Sequence, residues 1–136
     1  MRLFRKKEEK PPEPTRTEAL RCVPQRATAA NWHSLDQGDI LIEYPLEIRP
    51  FFLQLARRFY DRKNLPPPTR KLQLDRLGSL VWQMVDGRKN VGTIIREFAT
   101  ASGLTLQEAE LSVTAFFRQL GRRGLIFMKG PASDDL

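Results

Sequence analysis

Apolar and polar positions change their spacing several times along this chain, and each change marks an expected element. From Trp32 to Pro45 the pattern is that of β-structure. Gln37-Gly38-Asp39 is a turn signal, Ile40-Leu41-Ile42-Glu43-Tyr44 is rich in β-branched and apolar residues, and Pro45 ends the run. Trp32 and Leu35 supply a short partner strand before the turn. The period then changes. Phe51, Phe52, Leu55, Ala56, Phe59 and Tyr60 fall on one face of a helix over residues 50–62, with Pro50 suited to its first position and Pro66-Pro67-Pro68 beyond its end. Lys71-Leu72-Gln73-Leu74 alternates as a half-buried strand does.

The spacing after Leu74 is helical throughout. Asp75 caps a helix that carries Leu77, Leu80, Val81, Met84 and Val85 on one face and stops at Asp86-Gly87. Asn90 caps a second, whose stripe is Val91, Ile94, Ile95 and Phe98 and whose end is Gly103. Thr105-Leu106-Gln107-Glu108 is a capping box opening a third. Leu106, Ala109, Val113, Phe116 and Leu120 form its expected core stripe, with Phe117 beside it, and Gly124 follows. Leu125-Ile126-Phe127-Met128 reads as a closing strand. The fold class expected is α+β and winged helix-turn-helix-like. A small β-sheet of about three strands plus a closing strand packs on a three-helix bundle, with an extra amphipathic helix inserted between strands.

Composition changes this picture at the ends. Residues 1–28 hold Pro11, Pro12, Pro14 and Pro24 among mixed charges, with no apolar period. We expect a disordered basic, Pro-rich tail there, one domain over 29–130, and a disordered tail over 131–136. The start, MRLFRKKEEK, has no apolar stretch of signal type, and no run approaches the length of a membrane span, so a cytoplasmic protein is expected.

The net charge of +7 suggests nucleic acid until its distribution is considered. Residues 1–27 carry +4, residues 28–48 carry −4, residues 49–76 carry +6, and residues 77–136, the helical region, carry only +1. The third helix opens with Glu108 and Glu110, which oppose phosphates where a recognition helix would enter the major groove. Cys22 and His33 are the only residues of their kinds, which excludes a Cys/His metal site and leaves a catalytic pair without partners. No Gly-rich phosphate loop or paired-carboxylate motif occurs. No catalytic residue, metal or cofactor is expected.

The block Leu72-Gln-Leu74-Asp75-Arg-Leu-Gly78-Ser-Leu-Val-Trp82-Gln-Met-Val85-Asp86-Gly87-Arg-Lys-Asn-Val91-Gly-Thr-Ile94 resembles the central motif of the PqqD family. Val113-x-x-Phe116-Phe117-x-x-Leu120-x-x-x-Gly124-Leu125-Ile126 is similar to that family's last helix and strand. The resemblance covers about residues 32–129, and the segment 46–70 departs from the shortest members. It implies a non-catalytic adaptor that binds the leader part of a ribosomally made precursor peptide as an added β-strand, between the third strand and the third helix. The adaptor delivers that peptide to a modifying enzyme, often of radical SAM type. Mapped onto this chain, the peptide-binding residues are Lys71, Leu72, Gln73 and Leu74 on the strand and Val113, Thr114, Phe117 and Arg118 on the helix. Two other readings stay open: a winged-helix DNA-binding regulator, and a protein–protein scaffold without peptide binding.

Overall fold

The computed structural model describes residues 15–45 and 69–131. The expected helix over 50–62 lies outside them, as do residues 1–14 and 132–136. In chain order the elements are α1 (Arg16–Arg21), β1 (Val23–Arg26), β2 (Asn31–Ser34), β3 (Ile40–Pro45), β4 (Thr69–Gln73), α2 (Arg76–Met84), α3 (Val91–Ser102), α4 (Leu106–Arg122) and β5 (Ile126–Lys129). The molecule is α+β, with two small antiparallel sheets and four helices among the described residues. No helix of the described residues is long and apolar enough to cross a membrane.

The three helices after β4 form where local chemistry asks for them. Asp75, Asn90 and Thr105 each accept a hydrogen bond from the backbone N–H three residues on, and Glu108 returns the bond to the Thr105 N–H. Gly103 ends α3 in the left-handed conformation at φ 74°. Residues 77–120 contain no strand.

The three-stranded sheet has the order β2-β3-β4. Ile40, Ile42 and Tyr44 alternate inward along β3, where they join Leu74, Trp82, Ile94, Phe98, Val113, Phe117 and Leu120 in one core. Ser79 ties sheet to helix: its Oγ accepts from the Ile40 N–H at 2.8 Å and donates to the Leu74 carbonyl at 3.3 Å.

The N-terminal segment departs from expectation. Within the supposed tail 1–28, residues 16–21 are helical, and residues 23–26 pair antiparallel with β5. The closing strand therefore joins β1, from Val23↔Lys129 to Arg26↔Ile126, and not the three-stranded sheet. Pro24 misleads at the sequence level because prolines usually interrupt strands. The Ala27 N–H donates to the Leu125 carbonyl at 2.8 Å, so the bonded pairs fall at 27, 25 and 23. Pro24 takes an alternate position whose missing N–H faces away from β5, and it stays buried. Arg26 then lies over two aromatic rings, 4.6 Å from the Trp32 centroid and 5.3 Å from that of Trp82.

Candidate peptide-binding edge

Strand β4 pairs with β3 on one side, and among the described residues no strand pairs with the other. The phase of the ladder decides which groups that free edge offers. The Leu74 N–H donates to the Ile40 carbonyl at 2.8 Å, which makes 74/40 a bonded pair. Bonded pairs alternate in an antiparallel ladder, so Leu72 and Arg70 also turn their backbone groups toward β3. Lys71 and Gln73 turn theirs outward. Their side chains are exposed, while Leu72 is half-buried and Leu74 buried on the helical face. An edge of this kind offers alternate unpaired N–H and C=O groups beside an apolar face.

Helix α4 flanks this edge through residues other than those expected. A Cβ placed on Gly78 would lie 3.1 Å from the Phe116 ring and 3.5 Å from the Leu74 Cβ, so Phe116 crosses the first turn of α2 directly beside the end of β4. A cleft of about 300 Å³ opens there, lined by Asp75, Leu77, Gly78, Ala115, Phe116 and Gln119 among others. Leu77, expected on the core stripe, is exposed at its rim. The stripe of α4 itself is Ala109, Val113, Phe117 and Leu120, with Phe117 5% exposed, Phe116 half-buried and Leu106 59% exposed. Leu106 occupies the first position of the helix, beyond the reach of the packed stripe. Thr114 and Arg118 face away from β4. They line a second cleft with Arg16, Leu20, Cys22 and Met128, where α1 lies against α3 and α4.

The structure thus keeps Lys71, Leu72, Gln73 and Leu74 together on the open edge. It buries Val113 and Phe117 and turns Thr114 and Arg118 to the α1 side. The side of α4 that faces the cleft past the end of β4 carries Ser112, Ala115, Phe116 and Gln119 instead. They form a stripe at helical spacing next to the core stripe, and the sequence carries no mark of which flank of that stripe meets β4.

Residues 65–126 match the model of a protein family described as Coenzyme PQQ synthesis protein D (PqqD). This segment is similar to the PqqD family. No curated protein and no solved structure gives a significant match. The matched segment contains β4, α2, α3 and α4 and ends on the first residue of β5. The open edge and its α4 flank therefore both lie inside it, whereas β1, β2, β3 and the Arg26 cluster lie before it.

The charged groups in and around the matched segment are structural in their contacts. Arg16 donates two hydrogen bonds to Glu110, at 2.6 and 2.8 Å, which raises the arginine's pKa and lowers the glutamate's. Asp86 accepts from the backbone N–H groups of Lys89 and Arg88, and these hold its carboxyl below the usual range. Burial pushes the Arg26 guanidinium down, against the opposing pull of Asp86. Among the described residues no three His, Cys, Asp or Glu side chains cluster as metal ligands. Cys22 donates weakly to the Glu18 carbonyl, and His33 is exposed on β2.

Proposed function

We propose that this chain is a non-catalytic adaptor. It holds an extended precursor peptide along the open edge of β4 and presents it to a modifying enzyme, of radical SAM type, in the cytoplasm. The PqqD family suggests a peptide-binding partner of PQQ-type biosynthesis, and its members are accessory proteins without catalysis. The observation that carries the reading is the outward phase of Lys71 and Gln73 on either side of half-buried Leu72, with the Phe116 cleft opening past the strand's end at Asp75 and Gly78. A bound strand would gain backbone hydrogen bonds there that tolerate sequence change, and the cleft would select among side chains. The order of α2, α3, α4 and then β5 also supports a winged-helix-like reading of the domain. DNA reading is disfavoured by Glu108 and Glu110 in the first turns of α4, where a recognition helix meets the groove.

The test uses dodecapeptides selected on the full chain from a random phage library, followed by backbone amide shifts on titration. Shifts at Lys71, Gln73 and Phe116, with loss of binding in Gln73→Pro, are expected. Selected peptides that leave those amides unmoved, or that bind Gln73→Pro as well as the parent, sink the proposal.

A further inference from the structure

At the N-terminal end of β4 the helical face of the sheet changes from apolar to basic. Arg70 stands in phase with Leu72 and Leu74, one two-residue step along, about 7 Å from Leu72. It lines a pocket of about 490 Å³ with Tyr44 and the end of α4, namely Gly121, Arg122, Arg123 and Gly124. Arg123 is held in place there, since its Nη1 donates to the Tyr44 hydroxyl at 3.1 Å and the Tyr44 ring is buried. Neither Gly121 nor Gly124 has an atom within 4 Å of where its Cβ would stand, so the space beside the guanidiniums is open.

Arginines at a helix C-terminus ordinarily serve the last carbonyls. Here that work is done by the backbone. The Arg123 N–H donates to Gln119 and Leu120, the Gly124 N–H to Gly121, and the Leu125 N–H to Leu120. The helix end contributes about half a negative charge, which cannot balance three guanidiniums. Among the described residues no Asp or Glu comes within ion-pair distance of Arg70, Arg122 or Arg123. The pocket is therefore a concentration of positive charge with open volume, placed on the same strand face that would read a bound peptide.

We infer that the peptide bound along β4 carries an Asp or Glu whose carboxylate enters this pocket. The inference rests on the peptide-binding reading above. The alternation of a strand sets the spacing: the acid lies two residues from an apolar anchor beside Leu72, or four from one beside Leu74 at the Phe116 end. Bidentate guanidinium–carboxylate pairing fits the planar donors assembled there.

Selected dodecapeptides should be enriched in Asp or Glu at that spacing from an apolar residue. For one such peptide and its Glu→Gln analogue, the full chain should prefer the acid by about fivefold at low salt, the scale of one exposed ion pair. The preference should shrink at about 0.5 M salt. In Arg70→Gln/Arg122→Gln, two exposed sites whose change leaves the core intact, the ratio should fall to about one, with an amide spectrum confirming the fold. Peptides that move the Lys71 and Gln73 amides but show no acid enrichment, or keep their acid preference in the double variant, overturn the inference and leave the peptide-binding reading standing. Peptides that leave those amides unmoved overturn both. A single-stranded oligonucleotide that binds through Arg70 and Arg122 more tightly than any selected peptide reassigns the pocket to phosphate.

Discussion

Ser79 is the buried polar side chain of the described core, at 4% exposure, and its position explains a gap in the β3–β4 ladder. Leu74 donates to Ile40, but the return bond is replaced by a relay in which the Ile40 N–H reaches Ser79 and Ser79 reaches the Leu74 carbonyl. This hydroxyl closes the ladder where β4 hands over to α2. Ser79→Ala leaves the Ile40 N–H buried without a partner, which costs about 1–3 kcal/mol. Urea denaturation should show a lowered midpoint with an unchanged slope, and an unshifted midpoint would refute the relay. The neighbouring pair Phe116 and Phe117 marks the limit of reading single residues. Both are aromatic and adjacent, and their rings lie 6.2 Å apart. The spacing sets Phe116 on the core stripe and Phe117 on its flank, open to core or groove; packing buries Phe117 and leaves Phe116 half-buried at the cleft. Periodicity within about one residue's rotation of the stripe cannot separate them.

Among elements, β4 makes the sharpest contrast between neighbouring positions. Leu72 uses its N–H toward β3 and Gln73 turns its N–H to the open edge, so a proline acts differently at each. Leu72→Pro should unfold the sheet or lower stability by about 3 kcal/mol or more, combining a lost ladder bond with lost packing. Gln73→Pro should leave the melting transition close to the parent's. The molecule already contains the precedent: Pro24 sits in β1 at an outward position and is accommodated. Thermal melts of the two variants decide the matter, and equal damage from both would show the assigned ladder phase to be wrong. The helices needed no such contrast to be found. Asp75, Asn90 and Thr105 announce them because a cap and its N–H partner lie three residues apart. Strand β1 has no such local signal, because its partner lies at the other end of the chain.

For the whole molecule, the N-terminal segment divides into two parts of unequal weight. Helix α1 buries no residue and is held to α4 by the exposed Arg16–Glu110 pair, with Leu20 partly packed on the core. Strand β1 buries Val23 and Pro24, pairs along β5, and brings Arg26 to the Trp82 carbonyl at 2.7 Å. Deleting residues 1–21 should therefore shift the denaturation midpoint little. Deleting 1–26 should cost about 3 kcal/mol or more, from lost burial and an exposed Ile126. Comparable midpoints for the two truncations would show that β1 does not support the core.

The sequence by itself determined what depends on neighbours three or four residues apart: the caps, the helical spans after Leu74, the glycine stops, and the alternation of β4. It also carried the family motif, because that motif is written in those local signals. Only packing across the chain sets the pairing of β1 with β5, which flank of α4 meets the junction from β4 into α2, and the meeting of Arg70 with Arg122 and Arg123. The physical reason is range. Local hydrogen bonds and helical periodicity are closed within a few residues, whereas pairing between distant strands and the choice of a helix's buried flank follow from which apolar surfaces the whole chain can bury together.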